Sequence, residues 1–361
     1  MNKFGLLVTG PVGSDKNIGD YIQSLAALQY TDGYCCYIEK ERIALFNNHE
    51  KMKTIMNAWY MWHPDNWPPM EEAINPLLIS MHISPLMFDQ MLARGGKEYL
   101  IAHGPVGCRD TGTLKLLKEA GVPSYFSACL TLTLGRTYRY QGERKGVYFV
   151  DAFFPPIRYV NGGKAVYQPM NLVKAAFYFF RNMKKVSFLA RKSFFKGRFK
   201  LQTYYNASMF YQVYSSMFTD DVLLNAEYSS HMLPVSSTWN HDELLDAAKH
   251  LLHKYARAKL VVTSRIHCAL PCLGLDTPVV FVTNKDLEST ENRWNTPGRF
   301  GGLMQLFRVV CYNSKNRLRT NDRALFEMAK YSGGNVPFVN KDDWREYEAE
   351  LHEKCMDFMK S

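Results

Sequence analysis

The sequence predicts an α/β protein in which two Rossmann-like domains, each built on a parallel sheet, face a cleft. Short apolar and β-branched runs alternate with helix-length segments along most of the chain. One stretch, Leu260–Val282, has the pattern strand–helix–strand, and this is the unit from which parallel sheets are made. The length of 361 residues suits two domains of ordinary size.

The predicted elements of the first half begin with a strand at Phe4–Val8. A loop with three glycines, Thr9–Gly19, leads to a helix for which Asp20 is the expected N-cap. This loop has neither G-x-G-x-x-G nor G-K-[ST], so it supports neither a dinucleotide site nor a P-loop. Further strands are predicted at Leu77–His82, Tyr99–Ala102 and Ser124–Phe126, and helices at Phe88–Arg94 and Thr111–Ala120.

The second half continues the same alternation and ends in a charged, amphipathic helix. Its predicted elements are a strand at Val147–Asp151, a helix at Asp242–Ala258, strands at Leu260–Val262 and Val279–Val282 around a helix at Cys268–Leu275, and a helix at Asp342–Met359. We therefore divide the chain into a first domain, 1–150, a second domain, 151–335, and a C-terminal helical segment, 336–361.

Polar side chains follow the Leu260–Val262 strand in the order Thr263, Ser264, Arg265 and His267. Ligands of parallel sheets bind beyond the carboxyl ends of the strands. A guanidinium, an imidazole and two hydroxyls at such an edge suit an anion. The arginine by itself could be a structural ion pair, and the histidine could be a satisfied buried group. Their grouping on one loop favours a binding site.

The positive charge of the chain is concentrated in one segment. The sequence has 44 Lys and Arg against 34 Asp and Glu, yet residues 152–219 contain eleven bases and no acid. Within them, 174–200 interleaves nine bases with eight Phe and Tyr. Three interpretations stay open: contact with an anionic membrane surface, an internal or substrate-binding role, and nucleic-acid binding. We favour the membrane surface, where the rings of Phe177, Phe180 and Phe195 would enter the headgroup layer.

Other features of the composition restrict the class of protein. No run of 18 apolar residues is present, so the sequence predicts no membrane-spanning helix. The start of the chain reads as a strand and has no signal-peptide pattern, so we expect a cytoplasmic protein. None of the eight cysteines has zinc-site spacing, and we expect neither a metal nor a disulfide.

Four motifs, in order along about 290 residues, resemble those of the polysaccharide pyruvyl transferase family. The segment 174–200 has no counterpart among them. The motifs are N-I-G-D with its helix at Asn17–Gln29, G-C-R-D at Gly107–Val122, T-S-R-I-H at Tyr255–Pro271, and P-G-R-F-G-G-L at Pro297–Leu303.

The resemblance implies a fold similar to the two-domain GT-B glycosyltransferases. It also implies transfer of the carboxyethylidene group of phosphoenolpyruvate to two hydroxyls of a sugar, with release of phosphate. The first domain would then bind the acceptor and the second would bind phosphoenolpyruvate. The resemblance implies an acceptor sugar of a capsular, exopolysaccharide or cell-wall repeat. A free sugar and a lipid-linked one both stay open, and the lipid-linked form would be reached from the inner face of the cell membrane. No cofactor is expected, because nothing is oxidised.

The residues expected to carry this chemistry follow from the motifs. Arg265 and His267 match the catalytic and donor-binding pair of the family. Ser264 accompanies them, and His231, just past a predicted strand, is a reserve candidate for proton transfer. The residues expected to bind substrate from the other motifs are Asn17, Gly19 and Asp20 on the acceptor side, and Arg109 and Arg299 through their charges.

Two other functions compete with this reading. A GT-B glycosyltransferase that uses a nucleotide sugar would share the fold and the cleft. Such enzymes commonly hold the donor with a carboxylate in the second half, whereas the strand-end motif here offers arginine and histidine. A basic nucleic-acid-binding protein on a degenerate enzyme fold is the third reading, and steeply salt-dependent binding would support it.

Overall fold

The computed structural model describes residues 3–9, 17–60, 62–156, 158–161, 164–232, 239–283, 300–312 and 315–361. The first half of the chain alternates short strands with helices. Its elements are β1 (Gly5–Val8), α1 (Ile18–Leu28), β2 (Cys36–Glu39), β3 (Met52–Ile55), β4 (Trp59–Tyr60), β5 (Ile74–Leu77), β6 (His82–Ile83), α2 (Phe88–Leu92), α3 (Gly96–Ala102), β7 (Val106–Cys108), α4 (Thr111–Glu119), β8 (Ser124–Phe126) and α5 (Gly135–Tyr138).

The strands of the first half pair in parallel. The hydrogen-bonded pairs are β1–β2, β3–β5, β4–β6 and β7–β8. Parallel bridges join Phe4 to Lys53 and Met81 to Cys108, and the amide of Gly107 donates to the Leu78 carbonyl. The spatial order is therefore β2-β1-β3-β5-β7-β8, with β4 and β6 prolonging β3 and β5.

The second half contains a longer sheet and a helical insertion. Its elements are β9 (Lys145–Val150), β10 (Arg158–Asn161), β11 (Lys164–Tyr167), α6 (Pro169–Arg181), α7 (Met183–Leu189), α8 (Lys200–Tyr214), α9 (Asp220–Asn225), β12 (Glu227–Ser229), α10 (His241–Arg257), β13 (Ala258–Thr263), α11 (Ile266–Gly274), β14 (Val279–Thr283), β15 (Arg308–Tyr312), β16 (Leu318–Arg319) and α12 (Trp344–Lys360).

The six-stranded sheet of this half has the order β12-β9-β13-β14-β15-β16, and all its pairs are parallel except β15–β16. In the first half β2 lies on one side of β1, and β3 and the later strands lie on the other side. In the second half β12 lies on one side of β9, and β13 and the later strands lie on the other side. The order therefore reverses between β1 and β3 and again between β9 and β13. Such a reversal opens a crevice at the carboxyl ends of the strands.

Strand β13 shows why this sheet carries helices on both faces. Leu260, Val261 and Val262 are all fully buried. Val261 packs into a core with residues of α10 and α11, whereas Leu260 and Val262 pack into a second core with residues of α8 and α9. A continuous apolar run is thus needed, because successive side chains of a strand point to opposite faces.

The prediction of a mixed α/β protein with parallel sheets is confirmed, and so is the strand–helix–strand unit, here β13–α11–β14. The division at residue 150 stays a prediction. Strand β9 lies before that division but pairs with β12 and β13 of the later sheet. The C-terminal helix, α12, returns to the first half, where Lys53 Nζ donates to the Phe358 carbonyl at 2.8 Å.

Three local predictions were wrong. Asn17, not Asp20, caps α1, because its side chain accepts from the Gly19 amide at 3.0 Å. Tyr99–Ala102 is the end of helix α3; a four-residue apolar run fits a buried helix as well as a strand. The segment 77–82 is not one strand, since Ser80 has φ of +53°, which interrupts the extended backbone between β5 and β6.

Candidate active site

The candidate site lies where the strand order reverses in the second sheet. Two hydroxyls at the end of β13 tie neighbouring strands together. Thr263 Oγ1 donates to the Val150 carbonyl at 2.8 Å, and Ser264 Oγ donates to the Val282 carbonyl at 2.7 Å. Ser264 Oγ also accepts from the Phe153 amide at 2.9 Å. These bonds hold the ends of β9, β13 and β14 as a fixed platform for the residues that follow.

Arg265 stands at the edge of this platform and is oriented by Asp151. Its Nε lies 2.9 Å from Asp151 Oδ2, and its side chain keeps 36% exposure. Asp151 follows β9 with φ of +43°, and its Oδ2 also accepts from the His231 amide at 2.9 Å. Within the described ranges no other acceptor contacts the guanidinium. The ion pair therefore uses only Nε of the guanidinium, and Nη1 and Nη2 can bind an anion.

His267 and Arg109 meet across the two halves of the chain. His267 is the second residue of α11 and only 8% exposed, whereas Arg109 directly follows β7 and is completely buried. Arg109 Nη1 lies 3.4 Å from His267 Nε2. A guanidinium has no acceptor, so in this contact Nε2 accepts and the imidazole is neutral at that atom. The pair places a fixed positive charge next to a group that can take up a proton.

Arg109 is incompletely satisfied by the residues that the structure describes. Its Nε and Nη2 are buried without a hydrogen-bond partner, and the nearest carboxylate oxygen, Asp110 Oδ2, is 3.8 Å from Nε. Each unsatisfied buried donor costs roughly 1–3 kcal/mol, and a buried charge costs more unless it is paired. The guanidinium of Arg109 therefore has two unused donors beside His267, which makes it a candidate partner for an anion.

Asp110 attracts Arg109 at 3.8 Å but forms no hydrogen bond with it, because the carboxylate oxygens are engaged elsewhere. Its Oδ2 lies 2.5 Å from His82 Nδ1, and its Oδ1 accepts from the Thr113 amide at 2.9 Å as the N-cap of α4. Burial by itself raises the pKa of Asp110, but His82, Arg109 and the Thr113 amide outweigh burial and lower it. The carboxylate thus stays charged while it fixes the backbone from which Arg109 extends.

The one glycine of α1, Gly19, lies against the site from the other side. A Cβ added at Gly19 would lie 3.0 Å from both Asn17 Oδ1 and His231 Nδ1, and 3.3 Å from His267 Cβ. His231 is buried; its Nε2 lies 2.8 Å from the Tyr255 hydroxyl, and its carbonyl accepts from the Ile18 amide at 2.9 Å. The N-terminus of α1 is therefore packed directly against both histidines.

The structure thus brings six of the residues predicted from the sequence to one place: Asn17, Gly19, Arg109, His231, Arg265 and His267. Ser264 lies beside them, but its hydroxyl proton is engaged by a backbone carbonyl. Asp20 is half-buried and accepts from Thr9 Oγ1 at 3.2 Å. Arg299 lies outside the described residues. For each of these, a part in substrate binding stays a prediction.

Sequence reasoning missed the residues that support the site, above all Asp151, Asp110, His82 and Tyr255. A signal existed for two of them. Asp151 and His82 each stand at the end of a segment predicted as a strand, which is the same argument that identified Arg265. No pattern pointed to Tyr255, whose partner His231 lies 24 residues away in the chain.

The fold and the site define an α/β protein with two arginines and two histidines grouped at the carboxyl ends of parallel strands. The chain belongs to the polysaccharide pyruvyl transferase family, which it matches over residues 97–286. The matched range includes Arg109, Asp151, His231, Arg265 and His267, and it ends before the P-G-R-F-G-G-L motif. No curated protein and no solved structure gives a significant match.

Proposed function

We propose that this pyruvyl transferase uses phosphoenolpyruvate as its donor and forms a cyclic ketal on a sugar of a surface polysaccharide precursor. The observation that carries the proposal is the buried Arg109 guanidinium, whose Nε and Nη2 lack partners in the described part of the chain and whose Nη1 lies 3.4 Å from His267 Nε2. Phosphoenolpyruvate carries a carboxylate and a phosphate, and guanidinium groups bind both in a bidentate manner. Arg109 and Arg265 supply one such group each.

The reaction balances without a cofactor. A proton adds to the methylene carbon of phosphoenolpyruvate, and C2 becomes an oxocarbenium-like centre. One sugar hydroxyl attacks C2 and loses its proton, the C2–O bond to phosphate breaks, and the second hydroxyl attacks C2 to close the ring. The two sugar hydroxyls lose two protons in total. One balances the proton that was added to the methylene carbon, and the other leaves on the phosphate. A neutral imidazole at His267 suits removal of a hydroxyl proton, and general acid–base groups contribute about 10²–10⁴-fold in rate.

We infer further that the two sheets form the facing halves of a GT-B-like enzyme, with the acceptor on the side of α1. Two observations support this. Both sheets reverse their strand order at a central strand, and the hydrogen bond from the Ile18 amide of α1 to the His231 carbonyl joins the two sides. Asn17 and Gly19 are then well placed to meet a sugar that approaches a donor held by Arg265.

The test is a reaction with phosphoenolpyruvate labelled with ¹³C at C3 and a panel of lipid-linked sugars. We expect phosphate release that depends on the acceptor and a new ¹³C methyl signal from the ketal. Phosphoenolpyruvate should also raise the melting temperature of the protein, because a ligand that binds only the folded state stabilises it. Stabilisation by a nucleotide sugar and not by phosphoenolpyruvate would overturn the proposal in favour of glycosyl transfer.

A further inference from the structure

We propose that helix α6 and the basic residues that follow it form a docking surface for an anionic membrane. Half of the 18 exposed large apolar side chains of the described chain lie between residues 170 and 201. The same segment lies within the stretch 152–219, which has eleven bases and no acid. Within the residues described, no helix has the length and apolar character to cross a bilayer. The surface would therefore attach the protein from one side.

The exposed apolar side chains of α6 form one stripe. Met170, Val173, Phe177 and Phe180 are 59–70% exposed. Their spacing of three and four residues places them within an arc of about 80° on the helix. Asn171 and Ala175, on the other side, are buried, and α6 packs against α8 through that side. An amphipathic helix with bulky apolar groups turned outward has the form of an interfacial membrane helix.

The aromatic residues of this segment divide into two groups. Phe195 was expected to enter the membrane, and that expectation was wrong. It is completely buried, and its ring packs against Phe194, Phe210 and Tyr228. Phe177 and Phe180 retain more than half of their surface. Phe195 is thus part of the hydrophobic core, whereas Phe177 and Phe180 lie exposed on the surface of the described residues.

The bases divide in the same way. Lys185 Nζ lies 2.6 Å from an Asp220 carboxylate oxygen, and Lys192 lies over the Phe188 and Tyr228 rings, so both already have partners within the fold. Six others are exposed: Arg181, Lys184, Arg191, Lys196, Arg198 and Lys200. An anionic surface attracts each such base, and the attraction adds to the burial of apolar side chains.

The charge pattern and the stripe together favour a membrane over a nucleic acid. Bases without acids would suit either, but the aliphatic Met170 and Val173 gain nothing from a phosphate backbone, whereas they gain from entering a lipid headgroup layer. Single-stranded nucleic acids stack on aromatic faces and require no aliphatic stripe.

This segment is also fixed to the candidate active site. The Tyr205 hydroxyl of α8 donates to the Pro155 carbonyl at 3.0 Å, and the Tyr214 hydroxyl donates to the Phe153 carbonyl at 2.8 Å. The Phe153 amide in turn donates to Ser264 Oγ. Docking through α6 would thus hold the site at a defined place relative to the membrane, whichever donor the enzyme uses.

The test is sedimentation with vesicles of phosphatidylcholine alone or with 30% phosphatidylglycerol. We expect binding that requires the anionic lipid and falls with added salt. Changing Lys184, Arg191, Lys196 and Arg198 to Glu should lower the partition coefficient at least 100-fold, since each base contributes about fivefold. A control variant with the same change of charge, at the exposed bases Lys115, Lys118, Arg319 and Arg323, should bind within about fivefold of the wild type.

The apolar part is tested separately. The double change Phe177→Ser and Phe180→Ser should weaken vesicle binding about tenfold per ring, whereas Leu86→Ser with Phe326→Ser, at exposed positions elsewhere, should not. Circular dichroism and melting temperature confirm that each variant is folded. Equal binding to neutral and anionic vesicles, no binding to either, or equal loss in test and control variants would overturn the proposal. So would a DNA or RNA oligonucleotide that binds tightly and displaces the vesicles. Sedimentation needs no donor or acceptor, so its failure is distinct from failure of the proposed reaction.

Discussion

Replacing Arg109 by methionine should make the protein without ligand more stable and unable to bind its donor. Methionine fills much of the space of the arginine side chain but has no donors to leave unsatisfied. Nε and Nη2 of Arg109 are two such donors in the described structure, at roughly 1–3 kcal/mol each. Asp110 keeps its bonds to His82 and to the Thr113 amide without the arginine. The lost 3.8 Å attraction between Arg109 Nε and Asp110 Oδ2 opposes this gain, so we expect the free energy of unfolding to rise by at most about 2 kcal/mol.

Urea unfolding with and without phosphoenolpyruvate measures both effects. A donor at 100 times its Kd should stabilise the wild type by about 2.7 kcal/mol, and it should stabilise Arg109→Met by less than about 0.5 kcal/mol. Arg136→Met is the matched control. Arg136 is exposed and paired with Glu348, so its loss should cost at most about 1 kcal/mol and leave donor protection intact. If Arg109→Met is destabilised by more than about 2 kcal/mol and phosphoenolpyruvate still protects it, the arginine is a structural residue and the reasoning fails.

Four further predictions concern single residues. Arg265→Lys keeps the charge but loses the Nε bond to the Asp151 carboxylate, so donor Kd, measured by calorimetry, should rise at least tenfold; an unchanged Kd would remove Arg265 from the donor site. His267→Ala should lose 10²–10⁴-fold in turnover with little change in unfolding free energy, and a fully active variant would exclude proton transfer by this residue. Gly135→Ala should lower the free energy of unfolding by more than about 2 kcal/mol, because the new Cβ would lie 1.8 Å from a carbonyl oxygen of α11. Gly334→Ala is the control and should leave it unchanged, because open space surrounds the new Cβ. Equal unfolding curves for the two variants would contradict this packing. Asp110→Asn should lower the free energy of unfolding by about 3 kcal/mol at pH 7. Because the pKa of Asp110 is lowered on folding, this loss should shrink as the pH falls below about 4. A loss that stays the same between pH 3 and 7 in urea unfolding would show that the charge of Asp110 is irrelevant to stability.

The sequence was most informative where a motif coincided with a buried strand. The β13–α11–β14 unit was predicted because three consecutive fully buried residues in β13 leave an unmistakable apolar run. Arg265 and His267 then followed from the rule that ligands bind at strand ends. Helix α3 was missed because a short buried helix has the same apolar run as a strand, and only its contacts distinguish the two.

The rest of the site depends on contacts between distant parts of the chain. Arg109 and His267 are 158 residues apart, and Asp151 and Arg265 are 114 residues apart. Nothing in the local pattern of either residue indicates its partner. For the same reason the sequence could not separate Phe195, which the core needs, from Phe177 and Phe180, which it leaves outside.

The course of the chain between the two sheets sets a condition for building chimeric enzymes. Strand β9 already belongs to the later sheet, while α12 returns to the earlier one and is held there by Lys53. A single crossover point would therefore join α12 of one parent to a Lys53 of the other. An exchange of the first half between two parents needs two junctions, one between α5 and β9 and one between β16 and α12. It also needs both parents to keep glycine at position 19, since a methyl group there would lie 3.0 Å from His231 Nδ1 and 3.3 Å from His267 Cβ, and these side chains would have to shift.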